Sequence, residues 1–101
     1  MKLLLIVNPS ASSVTARGRV VIAKALAADH VVTVVETTRR GHATRLAASA
    51  ATDGTDVVVV LGGDGTLNEA ANGLAGTSTA LAVVPGGSTN VFARTLSLPD
   101  D

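Results

Sequence analysis

The residues that could most directly perform chemistry follow the apolar run Val57 to Leu61 without a break, and they read Gly62-Gly63-Asp64-Gly65-Thr66-Leu67-Asn68-Glu69. Three glycines allow the backbone to approach a bulky ligand and to adopt positive φ. A loop of this kind before a helix presents free N–H groups to an anion, and Thr66 is predicted to cap that helix. A carboxylate such as Asp64 would repel phosphates unless it held a divalent cation or removed a proton. The segment therefore predicts phosphoryl transfer.

The two commoner phosphate loops are absent. Asn68 stands where the dinucleotide fingerprint G-x-G-x-x-G requires its last glycine, and no G-x-x-x-x-G-K-[ST] motif occurs in the chain. The alternative is an ordinary strand-to-helix turn, but a turn requires neither two adjacent glycines nor an acidic residue.

The composition limits the classes of protein to consider. The chain has 101 residues, 47% hydrophobic content, no net charge and no cysteine, so we expect one small domain with a core, without disulfides or thiolate metal sites. The apolar runs are too short to span a bilayer and Met1-Lys2 leads directly into a strand, so we expect a cytoplasmic protein without a transmembrane segment. A single aromatic residue, Phe92, argues against nucleic acid as a partner.

The basic residues are unevenly distributed. Six of the eight lie between positions 17 and 45, namely Arg17, Arg19, Lys24, Arg39, Arg40 and Arg45. Such a group could meet phosphate or an anionic membrane surface, although helix residues of this type more often form a solvated face. His42, at a predicted helix start, could touch a ligand, but a structural role at the helix start is favoured.

Apolar runs and turn residues predict four successive βα units. The strands are predicted at Lys2–Val7, Val31–Glu36, Val57–Leu61 and 79–84, and the helices at 14–28, His42–Thr52, 66–74 and 91–96. Gly18, Ile22, Ala25 and Leu26 are predicted to form the buried face of the first helix. Four βα units indicate an α/β domain, a three-layer αβα Rossmann-like fold with a parallel sheet ordered 2-1-3-4.

Three loops at the carboxyl ends of the predicted strands are rich in glycine or hydroxyl groups. Besides the central loop, these are the segments that begin at Asn8-Pro9-Ser10 and at Pro85-Gly86-Gly87. The first of them could equally be a plain connection in which Ser12 or Ser13 caps a helix. In open parallel sheets this edge binds ligands, so the convergence of three such loops on Asp64 predicts a nucleotide site.

Together these motifs resemble the catalytic domain of diacylglycerol kinases and related lipid kinases. The matching segments are Asn8-Pro9-Ser10-Ala11-Ser12, Thr37 with Gly41-His42-Ala43, the central loop from Gly62 to Glu69, and Pro85-Gly86-Gly87-Ser88-Thr89-Asn90-Val91-Phe92-Ala93-Arg94. The glycine-aspartate signature alone is also similar to that of NAD kinases and phosphofructokinases. The Asn-Pro start and the Pro-x-Gly-Ser/Thr-x-Asn close favour the lipid kinases.

The resemblance implies a set of site residues and two cofactors, ATP and Mg²⁺. The residues expected around ATP are Asn8, Pro9, Ser10, Ala11, Ser12, Thr37, Gly62, Gly63, Asp64, Gly65, Thr66, Leu67, Asn68 and Ser88. Asp64 is implied as the catalytic residue and the metal ligand, although in some relatives a carboxylate of a second domain acts as the base. Family members often have glycine in place of Ser12 and threonine in place of Ser88.

The resemblance further implies that residues 1–101 form the nucleotide-binding catalytic domain and that a β-rich C-terminal domain is absent. The expected reaction is phosphorylation of a lipid hydroxyl at the membrane surface, with peripheral membrane association. The isolated chain is expected to be inactive on lipid, and its uncovered apolar surface could drive homo-oligomer formation. The alternatives are an NAD kinase-like fragment and a non-catalytic nucleotide-binding module.

Overall fold

The computed structural model describes residues 1–9 and 16–84, which form four strands and three helices. In chain order they are β1 (Lys2–Val7), α1 (Ala16–Ala27), β2 (Val31–Glu36), α2 (His42–Thr52), β3 (Val57–Leu61), α3 (Asp64–Leu74) and β4 (Ala80–Val84). The predicted helix at 91–96 and the loop from Pro85 lie outside the described residues. No helix in the described ranges has the length and hydropathy needed to span a membrane.

The four strands form one parallel sheet in the order β2-β1-β3-β4, which confirms the predicted topology. The register pairs Val7 with both Glu36 and Leu61, and it pairs Leu61 with Val84. The four strands therefore end at the same level. This common end brings the loops that follow β1, β2 and β3 to one edge of the sheet.

Two apolar clusters, one on each face of the sheet, hold the three layers together. Every residue of β3 is buried, and so is every residue of β1 after Lys2, because these central strands are covered on both faces. On one face Leu3, Leu5 and Val7 belong to the same apolar cluster as Ile22 and Leu26 of α1. The cluster on the other face combines strand and helix residues: Leu4, Ile6, Val58 and Val60 with Ala43, Ala47, Ala50, Ala70 and Leu74.

Small residues allow α2 and α3 to approach closely. A Cβ atom added at Gly73 would collide with the carbonyl oxygen of Thr44 and would lie 3.0 Å from the Ala47 Cβ. The Thr44 hydroxyl donates a hydrogen bond of 2.8 Å to the carbonyl oxygen of Glu69. The small side chains of α2 thus allow a close contact that sets the position of α3 and the direction in which the N-terminus of α3 points.

Two local predictions are wrong. Helix α3 begins at Asp64 rather than Thr66, and Gly63 occupies the N-cap position with extended backbone (φ −85°, ψ 175°). Thr66 is therefore inside the first turn and does not cap the helix. In α1, Ala25 is exposed, because the helix turns Ala23 toward the apolar cluster of Ile22 and Leu26 instead.

Candidate functional site

The carboxyl edge of the sheet is continued by backbone hydrogen bonds one residue beyond the strands. The N–H of Thr37 donates to the carbonyl oxygen of Val7 at 2.7 Å, and the N–H of Gly62 donates to that of Val84 at 3.3 Å. The starts of the loops after β2 and β3 are therefore held against their neighbouring strands. Side chains from loops that are distant in sequence are brought together here.

The glycine turn after β3 leaves the start of α3 open. Gly62 has φ of 130°, a conformation that only glycine adopts readily. The N–H of Leu67 bonds to the carbonyl oxygen of Gly63 at 3.2 Å, as the first turn of the helix requires. The N–H groups of Asp64, Gly65 and Thr66 have no acceptor within the helix. They lie at the positive end of the helix dipole, which favours an anion.

A hydrogen bond joins the loop after β1 to this helix start. The side-chain amide of Asn8 donates to the Thr66 hydroxyl at 3.2 Å. Thr66 is 5% exposed, so its hydroxyl is in a protected position where the bond restrains both elements. The Asn-Pro start and the glycine turn, predicted to belong to one site, are in direct contact.

An open cleft of about 380 Å³ lies between these elements. It is lined by residues from the loops after β1 and β2 and by the first turns of α3: Asn8, Thr37, Thr38, Arg39, Arg40, Gly65, Thr66 and Glu69. Two guanidinium groups, one carboxylate and several amide and hydroxyl groups thus surround one space. Guanidinium groups bind phosphate oxygens in a bidentate geometry, so the lining suits a phosphorylated ligand better than an apolar one.

The segment between β2 and α2 reaches the cleft through a tight turn. Gly41 has φ of 85°, which allows the chain to reverse directly before α2. The N–H of Thr38 donates to Nδ1 of His42 at 3.0 Å, and the N–H of His42 donates to the carbonyl oxygen of Arg39 at 3.2 Å. This supports the structural role favoured for His42, which is not among the residues that line the cleft.

The predicted site residues occupy different environments. Asn8, Thr37, Gly65 and Thr66 line the cleft. Gly62 and Gly63 form the turn beside it; Pro9, Asp64 and Asn68 are exposed; and Leu67 packs against the apolar cluster under α2 and α3. Ser10, Ala11, Ser12 and Ser88 lie outside the described residues. The roles assigned to all of them remain predictions.

Four lining residues were not predicted. Thr38, Arg39 and Arg40 follow Thr37 in the same loop, and the arginines had been considered only as members of a basic flank. Glu69 is four residues after Gly65, so both lie on one face of α3, and this spacing could have identified it. The other four residues of the basic group between positions 17 and 45 do not line the cleft. Arg17, Lys24 and Arg45 are exposed, as expected for a solvated face, and Arg19 forms an ion pair with Glu36.

A magnesium ion would find one carboxylate at the helix start. Within residues 1–9 and 16–84 there is no group of three or more acidic, histidine or cysteine side chains that could hold a metal ion. Asp64, exposed in the first turn of α3, would supply one carboxylate ligand. Because Mg²⁺ is commonly held by one or two carboxylates together with substrate phosphates and water, this donor set fits an ion that arrives with a nucleotide.

Comparison with known proteins is consistent with this geometry. The diacylglycerol kinase catalytic domain family matches residues 2–101. A diacylglycerol kinase of Bacillus subtilis is 48% identical over 65 residues, covering 62% of this chain and 22% of its own length. A crystal structure of a diacylglycerol kinase from Bacillus anthracis strain Sterne superposes with a TM-score of 0.75 at 38% identity, covering 99% of this chain and 38% of that one.

Two further matches define the limits of the similarity. A diacylglycerol kinase of Staphylococcus haemolyticus is 39% identical over 83 residues, which cover 80% of this chain and 25% of the relative. The chain thus spans about a quarter of the length of the curated relatives it matches. The solution structure of a phosphate-loop protein, 21% identical with a TM-score of 0.62, shares the fold.

Proposed function

The chain belongs to the diacylglycerol kinase catalytic domain family, and on this premise we propose that it is the nucleotide-binding part of a kinase that transfers a phosphoryl group from ATP to a lipid hydroxyl. The relatives from Bacillus subtilis and Staphylococcus haemolyticus are diacylglycerol kinases, which favours this reaction over phosphorylation of NAD. The acceptor is a long-chain alcohol of the diacylglycerol type, presented at a membrane surface.

The observation that carries the proposal is the single cleft in which an open helix start meets two arginines. Uncapped N–H groups of α3 and the guanidinium groups of Arg39 and Arg40 supply positive potential. The ion pairs within the described ranges are Lys2–Asp53 and Arg19–Glu36, so neither arginine belongs to one, and Glu69 is the one carboxylate among the cleft-lining residues. An anionic ligand with several phosphates would meet both sets of donors.

Asp64 is proposed as the residue that places the catalytic cation beside the phosphates. It is the first residue of α3, and the residue after it, Gly65, lines the cleft. When bound, Mg²⁺ would neutralise charge that develops on the phosphate oxygens. Asp64 can alternatively accept the proton of the attacking hydroxyl, as the acid of this signature is regarded to do in some relatives.

The lipid acceptor requires a second wall that the described residues do not form. Transfer needs the acceptor oxygen within about 3 to 3.5 Å of the phosphorus, in line with the leaving group. The cleft is open and lined by polar groups, so it neither excludes water nor holds acyl chains. We therefore expect the 101-residue chain to bind Mg-ATP and to leave lipid unphosphorylated.

Two measurements test the proposal. Calorimetric titration of the chain with Mg-ATP should show binding, and the full-length protein should transfer label from ATP to an extracted lipid fraction. Labelled NADP with unlabelled lipid would show an NAD kinase instead, and binding without transfer to either acceptor by the full-length protein would show a nucleotide-binding module.

Two threonines that are buried within the described ranges, Thr66 and Thr55, allow a matched comparison for the site itself. Thr66→Val removes the hydroxyl that receives the Asn8 bond, and the loss of this bond should weaken Mg-ATP binding about tenfold. Thr55→Val removes a hydroxyl that is equally buried but lies at the opposite edge of the sheet. The second variant should bind Mg-ATP as the wild type does. Wild-type binding by Thr66→Val would mean that the Asn8–Thr66 bond does not support the nucleotide site.

A further inference from the structure

Half of the residues that line the cleft belong to one short segment, Thr37 to Arg40, which we name the arginine loop. We propose that His42, which is not among the lining residues, is a positioning residue that holds the arginine loop in the conformation that binds polyphosphate. The inference rests on the proposed nucleotide-binding function and adds a specific part to it.

The hydrogen bonds at the two ends of the arginine loop support this role. At its start, the N–H of Thr37 is bound to β1 through the carbonyl oxygen of Val7 at 2.7 Å. At its end, His42 contributes two bonds: its Nδ1 receives the Thr38 N–H at 3.0 Å, and its own N–H reaches the Arg39 carbonyl oxygen at 3.2 Å. The ring and backbone of one residue thus close the turn.

The arginine loop has little packing that could replace these bonds. Thr38, Arg39 and Arg40 are all exposed, so apolar burial contributes little to their conformation. Neither arginine forms an ion pair with an acidic residue among those that the structure describes. An exposed loop without such contacts will occupy many conformations unless hydrogen bonds select one. Selecting one in advance lowers the entropic cost of binding an anion.

The bond from Thr38 depends on a hydrogen-bond acceptor at Nδ1. This nitrogen accepts the backbone N–H through its lone pair. The Thr38 hydroxyl lies 3.4 Å from the same nitrogen. An asparagine side chain carries an acceptor at a position similar to that of Nδ1, whereas alanine carries none. Comparing the asparagine and alanine variants at position 42 therefore shows whether the hydrogen-bond acceptor, and not another property of the histidine side chain, is what matters.

The other histidine of the chain, His30, serves as a matched control. His30 lies between α1 and β2, at the amino edge of the sheet, where its Nδ1 is 3.3 Å from the N-terminal amine. Like His42, it is partly exposed and forms a hydrogen bond to a neighbouring segment. Its removal should perturb the chain locally without any effect at the cleft.

Calorimetric titration of the 101-residue chain with Mg-ATP, and separately with tripolyphosphate, tests the inference. His42→Ala should weaken binding of both ligands about tenfold, the effect of losing one hydrogen bond that organises a binding loop. His42→Asn should restore most of the affinity, and His30→Ala should bind as the wild type does. The melting temperatures of the four proteins should lie within a few degrees, which separates positioning from general unfolding.

Exchange of the Thr38 amide hydrogen, followed by NMR in the ligand-free chain, gives a readout that does not depend on nucleotide. Exchange should be faster in His42→Ala than in the wild type and should return toward the wild-type rate in His42→Asn. A wild-type chain that binds neither ligand would overturn the proposed function. A wild-type chain that binds while His42→Ala binds equally well, or an unchanged Thr38 exchange rate, would overturn the role of His42 alone.

Discussion

At the amino edge of the sheet the polar side chains are paired with one another, whereas at the carboxyl edge they surround an open cleft. The N–H of Lys2 donates to Oδ2 of Asp56 at 2.7 Å, and the ammonium group of Lys2 reaches the carbonyl oxygen of Asp53 at 3.1 Å. The Thr55 hydroxyl donates to Oδ1 of Asp53 at 2.8 Å. These contacts tie β1 to the turn before β3 and serve the fold.

The carboxyl edge has comparable groups but leaves several of them to face solvent. The Asn8–Thr66 bond joins the loop after β1 to the first turn of α3, whereas Arg39, Arg40 and Asp64 are exposed. The same sheet therefore separates two tasks. Changes at the amino edge should alter stability, and changes at the carboxyl edge should alter ligand binding and turnover. Three pairs of substitutions test this separation, in order of decreasing effect.

The largest difference is expected between two aspartates at opposite edges. In the full-length protein, Asp64→Asn should lower the rate of lipid phosphorylation by about two to four orders of magnitude, because the variant loses the charge that holds the cation or accepts the proton. Asp53→Asn should leave this rate within about threefold. Steady-state assay of both variants, with circular dichroism to verify folding, measures the contrast. Near-normal turnover in Asp64→Asn would reduce Asp64 to a turn residue.

A second contrast lies within α3, which has one glycine beside the cleft, Gly65, and one packed against α2, Gly73. Gly73→Ala should destabilise the fold by about 1–3 kcal/mol, because the new Cβ collides with the Thr44 carbonyl oxygen where α2 and α3 touch. Gly65→Ala meets nothing within 4 Å and replaces a helical glycine, so it should be neutral or stabilise the fold by up to about 1 kcal/mol.

Urea denaturation of both variants measures these changes. The Gly65 variant should in addition bind Mg-ATP more weakly than the Gly73 variant, since Gly65 lines the cleft. Wild-type stability in Gly73→Ala would mean that the helices can separate to accommodate a side chain at position 73.

The fold could be predicted almost completely from the sequence. Valine-rich and leucine-rich runs bounded by glycine, proline and aspartate mark the strands so clearly that β1, β2 and β3 have the predicted bounds. The strand order follows because successive βα units with right-handed crossovers limit the possible topologies. Alanine gave a weaker signal, since its small side chain is tolerated on either face of a helix, and Ala25 was placed on the wrong one.

The cleft could be predicted only in part. Glycine and hydroxyl residues after a strand indicate a phosphate loop, and this located Asn8, Gly65 and Thr66, whereas Thr37 was implied by the family resemblance. The capping role of Thr66 was wrong because the helix already begins at Asp64. The Thr66 hydroxyl instead receives a hydrogen bond from Asn8, a contact over 58 residues that no local pattern reveals. Arg39 and Arg40 were missed because exposed arginines have the same local signature on a solvated face as in a binding site.

The smallest effect is expected at the amino edge, where Asp53 titrates. The hydrogen bond from the Thr55 hydroxyl, with a further contribution from Lys2, lowers the pKa of the Asp53 carboxyl below its ordinary value. A lowered pKa in the folded state means that the ionised form stabilises the fold above the ordinary pKa of about 3.9, and that this contribution is lost as the pH falls through the folded-state pKa. Because Asp53 is exposed, solvent keeps the contribution small.

Thr55→Val removes the main cause and keeps the shape of the side chain. The pKa of Asp53, followed by NMR through its carboxyl carbon, should rise toward the ordinary value in this variant, and Lys2→Met should raise it by less. The dependence of unfolding free energy on pH below about 4 should become shallower in the same order. Mg-ATP binding measured at pH 7 should be unchanged in both variants. Weaker binding in either would show that the two edges are coupled through β1, and the separation of tasks would fail.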